Sequence, residues 1–158
     1  MNSATPYNIL TTSAAATSAL GERLARLLPD RMVLELISDL GGGKTTFVQG
    51  LARGLGYNGE VASPTFALSR IYSLPDSREL HHFDLYRLAG ADVVIEELAD
   101  SAGQPDIITA VEWPETAIKV LPKDRLTITF EIIIKDERSI TITAHGRRST
   151  TVLAGLRL

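Results

Sequence analysis

The sequence contains no cysteine, and this absence excludes several kinds of protein at once. Disulfide scaffolds, thiolate metal sites and cysteine nucleophiles all need that residue. With only three histidines in the chain, we expect no zinc site built from imidazole groups either. Metal binding through thiolates and covalent catalysis by a thiol are therefore excluded.

The chain also lacks long apolar runs and an excess of positive charge. No run approaches the roughly 20 apolar residues that span a bilayer, and residues 1–19 lack the basic start and apolar core of a signal peptide. A cytoplasmic location without a membrane partner is expected. The 16 Lys and Arg residues against 19 Asp and Glu residues give a net charge of −3. Since binding to nucleic acid phosphates needs a basic face, we expect no DNA binding, and any role on RNA requires a basic partner.

The 158 residues, 44% of them hydrophobic, suit a single domain that spans residues 1–158. Short apolar runs alternate with helical periodicity, which predicts an α/β sandwich whose central mixed, partly parallel sheet is flanked by helices. Strict alternation near the end of the chain predicts a C-terminal antiparallel hairpin. The predicted helices cover residues 12–28, 44–55, 93–99 and 114–120, and the predicted strands cover residues 32–37, 66–72, 80–84, 107–111, 126–134 and 140–143.

A glycine-rich segment links the predicted strand 32–37 to a helix that begins at Lys44. Glycines let backbone N–H groups approach phosphate oxygens, and a helix N-terminus favours negative charge. Lys44 would reach the β- and γ-phosphates of a nucleotide, and the Thr45 hydroxyl would bind Mg²⁺. Only four residues are lysines, so one directly after three glycines favours a Walker A P-loop over a solvated turn. The residues expected to bind nucleotide are Asp39, Leu40, Gly41, Gly42, Gly43, Lys44, Thr45 and Thr46.

Ser38 departs from the P-loop motif G-x-x-x-x-G-K-[ST], which has glycine at its first position. A β-carbon at this point alters the turn or demands a negative φ. The part of the loop that faces the phosphates, residues 41–45, is intact.

Two acidic residues, each at the end of a predicted strand, are candidates for catalysis. Asp84 ends the predicted strand 80–84, and Glu112 follows the predicted strand 107–111. Ligands bind at the carboxyl edge of open α/β sheets, and a buried carboxylate is costly unless it meets a cation or hydrogen-bond donors. We therefore expect Asp84 and Glu112 to orient Mg²⁺ or the attacking water, although Asp84 as a turn cap is the alternative. Which carboxylate binds the metal and which positions water stays open at this point.

Four motifs in this order resemble the TsaE family. They are Ser-Asp-Leu-Gly-Gly-Gly-Lys-Thr-Thr at residues 38–46, Ser-Pro-Thr-Phe at 63–66, His-Phe-Asp-Leu-Tyr-Arg-Leu at 82–88 and Val-Glu-Trp at 111–113. The family reads Gly-Asp-Leu-Gly-Ala-Gly-Lys-Thr-Thr in the loop, so Ser38 and Gly42 both depart from its pattern. The resemblance spans essentially the whole chain, and the three later motifs discriminate better than the loop.

The resemblance implies the ATPase subunit of the bacterial machinery that makes threonylcarbamoyladenosine in tRNA. ATP and Mg²⁺ are the implied cofactors, TsaB and TsaD the implied partners, and tRNA is reached through the complex. Lys44, Asp84 and Glu112 are the expected catalytic residues, and Thr45 and Glu112 are the expected metal ligands.

Four further residues are candidates for a switch or a partner contact. Thr65 would sense the γ-phosphate through its hydroxyl or else begin a strand. Tyr86 and Arg87 follow Asp84, and Arg87 would contact phosphate, a partner or RNA, or form a surface ion pair. Trp113, the single tryptophan, either packs near the nucleotide or a partner, or belongs to the core.

Three rival functions remain at the level of sequence. A small-molecule kinase would need an acceptor pocket and an arginine-bearing lid, and the chain has no arginine-rich insertion. A GTPase would need the guanine-reading segment Asn-Lys-x-Asp, which is absent from the sequence. A nucleotide-dependent interaction module with negligible turnover is the third rival, against which the pair of carboxylates favours hydrolysis.

Overall fold

The computed structural model describes residues 4–64, 67–86 and 92–158. Within these residues the chain forms one mixed sheet of seven strands and four α-helices. The strands are β1 (Tyr7–Thr11), β2 (Met32–Ile37), β3 (Ser69–Ser73), β4 (Glu79–Asp84), β5 (Ile107–Glu112), β6 (Leu126–Ile134) and β7 (Glu137–Ala144). The helices are α1 (Ala14–Ala25), α2 (Lys44–Gly54), α3 (Asp92–Ser101) and α4 (Arg147–Leu156). No helix in these three segments is long and apolar enough to cross a membrane.

The strand order in the sheet is β1-β7-β6-β2-β5-β4-β3. The four central strands, β6, β2, β5 and β4, are parallel; β7 pairs antiparallel with β6, β1 pairs antiparallel with β7, and β3 pairs antiparallel with β4. Strands β2, β4 and β5 are almost wholly buried, as expected where helices cover both faces of a parallel sheet. The predicted fold class, including the antiparallel hairpin β6–β7, is confirmed.

Helices cover the two faces of the sheet unequally. Side chains from α1, α2 and α4 form the larger core cluster, and Leu98 of α3 joins a smaller cluster with Phe83 and Val111. Helices α1 and α2 approach so closely that a β-carbon on Gly50 would lie 1.8 Å from the carbonyl oxygen of Ser18. This contact fixes α2, whose first residue follows the glycine-rich segment, against α1.

Several element boundaries differ from the sequence prediction. Helix α1 begins after Ser13, whose Oγ accepts a hydrogen bond from the Ala16 N–H at 3.0 Å, and it ends before residue 28. Strand β3 begins at Ser69 because Leu68 has a φ of 64°, which extended backbone does not allow. The predicted helix 114–120 is instead two 3₁₀ turns, Pro114–Thr116 and Ile118–Val120.

The sequence analysis missed β1 and α4. Strand β1 is a five-residue edge strand with only alternate side chains turned inward, which is a weak pattern. Helix α4 contains a run of Ser, Thr and Val that is unfavourable in helices, and its cap comes from far along the chain. The Asp124 carboxylate accepts hydrogen bonds from the N–H groups of Arg148 at 2.9 Å and Ser149 at 3.0 Å. Burial opposes the shift, but these hydrogen bonds lower the pKa of Asp124.

Candidate functional site

The segment between the end of β2 and the start of α2, residues 38–43, is called here the glycine loop. Gly41 and Gly43 have φ values of 76° and 105°, in the left-handed region that favours glycine. Gly43 directly precedes α2, and no side chain caps the helix at that point. Because a helix N-terminus has unsatisfied N–H groups and a partial positive charge, this end of α2 is suited to bind an anion.

Lys44 is the first residue of α2, and its side chain is buried against the glycine loop. Its Nζ donates hydrogen bonds to Ser38 Oγ at 2.8 Å and to the carbonyl oxygens of Asp39 at 3.4 Å and Ser38 at 3.5 Å. Burial lowers the pKa of Lys44, although the charges of Glu112 and Asp84 oppose this shift. A partly desolvated ammonium group is thus held at the N-terminus of the helix.

Asp84 and Glu112 lie side by side at the carboxyl ends of the parallel strands β4 and β5. They are direct register partners, and each is only 3% exposed. Asp84 Oδ1 accepts a hydrogen bond from the Tyr86 N–H at 2.9 Å, so this side chain also makes the turn cap considered above. The structure therefore brings together two buried carboxyl groups, while their catalytic roles stay predictions.

His82 supports the Glu112 side chain from within the sheet. The His82 ring is fully buried, and its Nε2 hydrogen-bonds Glu112 Oε1 at 3.0 Å. Its Nδ1 has no hydrogen-bond partner among the described residues. The sequence analysis missed this contact, although the two-residue spacing from Asp84 places His82 on the same face of β4.

The glycine loop, the start of α2 and the two carboxyl groups surround one cavity of about 440 Å³. The cavity is lined by Leu40, Gly41, Gly42, Gly43, Lys44, Thr45, Thr46, Ser63, Asp84, Tyr86, Glu112 and Trp113. All of the residues expected to bind nucleotide line this cavity except Asp39. The Asp39 side chain is exposed, and its carbonyl oxygen accepts hydrogen bonds from Lys44 Nζ and the Gly42 N–H. Thr65 and Arg87 lie outside the described residues.

An aromatic pair forms one wall of this cavity. The Tyr86 and Trp113 rings lie 4.9 Å apart between centroids, and Lys44 Nζ lies 4.5 Å from the centroid of the Trp113 ring. Trp113 has a φ of 57°, and its half-buried ring also packs against the smaller core cluster. Trp113 therefore packs against the core and also lies beside Lys44, while its contact with a nucleotide or a partner stays a prediction.

Arg138, at the start of β7, contacts the glycine loop through two hydrogen bonds. The sequence analysis did not predict this contact. The Arg138 Nε donates to the carbonyl oxygen of Gly42 at 3.1 Å, and the Nη2 donates to that of Gly41 at 3.3 Å. The hairpin turn gave no local signal of this contact, because the two segments are almost a hundred residues apart.

We expect replacement of Arg138 by alanine to weaken phosphate binding at the loop. Two carbonyl groups lose their charged donor, and the loop peptides become less ordered, so Mg·ATP affinity should fall by about three- to tenfold. Arg138→Lys, which keeps the charge but not the fork of donors, should lie between wild type and Arg138→Ala. Calorimetric titration checks this, and equal affinity in all three proteins would contradict it.

The lowered pKa of Lys44 predicts opposite pH trends for ligand affinity and for stability. Mg·ATP affinity should fall as pH rises through the lowered pKa, because a neutral amine no longer attracts phosphate. Between that pKa and the ordinary lysine value, the unfolded chain binds more protons than the folded one, so the Lys44 contribution to stability rises with pH. Calorimetry and urea unfolding across alkaline pH test both trends. Lys44→Ala should lack both trends, and an affinity loss only above the ordinary lysine pKa would refute the prediction.

The strand order, the glycine loop and the acidic strand ends define the P-loop NTPase-like class of α/β proteins. The family model of threonylcarbamoyl adenosine biosynthesis protein TsaE matches residues 11–140. The chain therefore belongs to the TsaE family, which functions in the biosynthesis of threonylcarbamoyladenosine in tRNA.

Similarity to individual proteins supports the same family assignment. The tRNA threonylcarbamoyladenosine biosynthesis protein TsaE of Streptomyces coelicolor is 40% identical over 145 residues, which cover 86% of this chain and 98% of the relative. The TsaE protein of Bacillus subtilis is 38% identical over 137 residues, covering 84% of this chain and 82% of the relative. A crystal structure of Bacillus subtilis YdiB matches with a TM-score of 0.78 and 32% identity, covering 99% of this chain and 97% of that chain. The family expected from the motifs is thus confirmed.

Proposed function

We propose that this protein is a Mg²⁺-dependent ATPase that acts with TsaB- and TsaD-type subunits in threonylcarbamoyladenosine modification of tRNA. One observation carries the proposal: the glycine loop, the Lys44 ammonium group and two buried carboxyl groups face the same cavity. Donors and positive charge suit a triphosphate, and carboxylates suit its metal and the attacking water. These are the groups that ATP hydrolysis would need around one cavity.

The triphosphate would be bound by the backbone N–H groups of the glycine loop and by the N-terminus of α2. Lys44 would give up its hydrogen bonds to the loop carbonyls for phosphate oxygens, which are stronger partners for an ammonium group. Leu40 is 62% exposed beside the cavity and would cover the phosphates from outside.

The residues at the cavity fit a magnesium ion. Thr45 offers a hydroxyl oxygen and Glu112 a carboxylate, and hard divalent cations prefer oxygen ligands. Lys44 supplies one positive charge against two buried carboxyl groups, so an additional cation would balance the site. Bound there, Mg²⁺ would neutralise charge on the phosphates.

Hydrolysis at this site would depend on positioning and electrostatics. We expect no covalent intermediate, because water would attack the γ-phosphate directly. Asp84 and Glu112 would orient the attacking water and the metal, with His82 fixing the Glu112 side chain through its hydrogen bond. Pre-organisation of these groups lowers the barrier without any covalent chemistry by the protein.

Family membership and charge support the role of partner subunits. The net charge of −3 does not suit independent binding to tRNA, so partners of the TsaB and TsaD type would present the tRNA and perform the transfer. The ATPase would then support turnover of the transferase complex between cycles.

The proposal is tested by ATP hydrolysis with and without Mg²⁺, in the presence and absence of TsaB- and TsaD-type proteins. We expect Mg²⁺-dependent phosphate release that the partners stimulate, and nucleotide-dependent retention of this protein in a pull-down with both partners. Phosphate release only upon addition of a small-molecule acceptor would point to a kinase instead. Nucleotide-dependent pull-down without turnover would point to an interaction module, and failure to bind Mg·ATP would refute the proposal.

A further inference from the structure

We propose that Ser38 is a positioning residue for the Lys44 ammonium group, and that position 42 must be glycine to make room for the Ser38 side chain. The inference rests on the proposed function, because it assigns a role in nucleotide binding at the glycine loop. It couples the two positions at which the loop departs from the family pattern.

The Ser38 hydroxyl faces Lys44 as a hydrogen-bond acceptor. Ser38 is only 9% exposed, and its Oγ donates its proton to the carbonyl oxygen of Asp39 at 2.7 Å. With that proton engaged, the oxygen accepts from Lys44 Nζ at 2.8 Å, whereas the two carbonyl acceptors lie at 3.4 and 3.5 Å. Of the three oxygen atoms that accept hydrogen bonds from Lys44 Nζ, the Ser38 hydroxyl oxygen thus lies nearest to it.

Space, not backbone conformation, requires glycine at position 42. Gly41 and Gly43 have positive φ values, but Gly42 does not. A β-carbon on Gly42 would lie 2.3 Å from Ser38 Oγ and 2.6 Å from Ser38 Cβ, both far too close. The next nearest atom is the Asp39 carbonyl oxygen at 3.1 Å, a contact that a small shift relieves. Without the Ser38 side chain, alanine would therefore fit at position 42.

Fixing the ammonium group before the nucleotide arrives lowers the cost of binding. A free lysine side chain has high rotamer entropy, and that entropy must be lost when the group meets phosphate. Ser38 and Trp113 hold the Lys44 side chain in the folded loop, so part of this ordering precedes binding. Ser38 would thereby raise nucleotide affinity through Lys44 without touching the phosphates.

The coupling is tested with Ser38→Gly, Gly42→Ala and the double variant, by calorimetry with Mg·ATP and by urea unfolding without nucleotide. Gly42→Ala should bind at least about tenfold more weakly and unfold at lower urea, because serine and the new methyl group collide. Ser38→Gly should lose about three- to tenfold in affinity, through the missing hydrogen bond to a charged group. The double variant should match Ser38→Gly in both measurements.

A matched control separates the β-carbon from the hydroxyl. The double variant Ser38→Ala/Gly42→Ala keeps a β-carbon at position 38. Its Mg·ATP affinity and urea midpoint should therefore be as low as those of Gly42→Ala alone. Losses in the double variant that equal the sum of the single free-energy losses would overturn the coupling. If wild type binds no Mg·ATP, the proposed function fails, while the unfolding measurements still decide whether positions 38 and 42 are coupled.

A spectroscopic measurement tests the positioning role itself. Of the four lysines, Lys44 is buried while the other three, Lys119, Lys123 and Lys135, are exposed. In a ¹H–¹⁵N spectrum of ammonium groups, we expect one slowly exchanging Lys44 signal in wild type, which Ser38→Ala broadens or removes. An unchanged Lys44 signal together with unchanged affinity in Ser38→Ala would overturn the role of the hydroxyl.

Discussion

Lys44→Ala should lower Mg·ATP affinity by about 10²- to 10⁴-fold, because it removes an ammonium group expected to contact two phosphates at about 1.5–3 kcal/mol each. The structure explains why neighbouring residues would not compensate. Lys44 Nζ contacts Ser38 Oγ and the Trp113 ring. The Arg138 guanidinium is instead engaged by the carbonyl oxygens of Gly41 and Gly42. Calorimetric titration of Mg·ATP into both proteins measures the loss.

The fold should survive this substitution, which makes the result interpretable. Burial disfavours the charged form of Lys44, as its lowered pKa indicates, so removing the side chain relieves that cost, while Asp84 and Glu112 lose an attractive positive charge; the two effects oppose each other. The Lys44 contacts are with the loop and the cavity, and the large core residues of α2, Phe47 and Leu51, are untouched. The urea midpoint should therefore stay close to wild type. Near wild-type affinity in Lys44→Ala would mean that the glycine loop does not bind the phosphates as proposed.

The sequence predicted the central sheet better than its edges. Strands β2 and β5 are nearly continuous apolar runs, and such runs are typical of strands covered on both faces. Helix α4 could not be predicted in the same way. Its inward residues Val152, Leu153 and Leu156 follow helical spacing, but its first turns are rich in Ser and Thr, and its N–H groups are capped by the distant Asp124.

The site could be predicted wherever a single element carries the information. The glycine loop follows one strand and begins one helix, and the two carboxyl groups each end a strand. The contacts of His82 with Glu112 and of Arg138 with the loop depend on which strands are neighbours, which no local pattern specifies. The Ser38 departure looked like a local defect in the motif, and its contact with Gly42 emerged only from the geometry of the loop.

Asp84→Asn and Glu112→Gln should each lower the rate of ATP hydrolysis by about 10²- to 10⁴-fold, the range for loss of a positioned acid–base group. Both changes conserve shape. Asparagine keeps the Oδ1 acceptor for the Tyr86 N–H, and glutamine keeps a hydrogen-bonding partner for His82. We therefore expect normal urea unfolding and Mg·ATP affinity within about threefold of wild type, since removal of a negative charge near the phosphates offsets weaker metal binding.

A magnesium titration of single-turnover hydrolysis, with the partner subunits present, distinguishes the two carboxyl groups. The variant of the residue that holds the metal should need more Mg²⁺ and recover part of its rate at high concentration. The variant of the residue that orients water should keep the wild-type Mg²⁺ requirement and stay slow. Glu112 is the expected metal ligand, because His82 fixes its Oε1 and thereby orients the carboxyl group toward the cavity beside Thr45. Wild-type turnover in both variants would remove the two carboxyl groups from the mechanism.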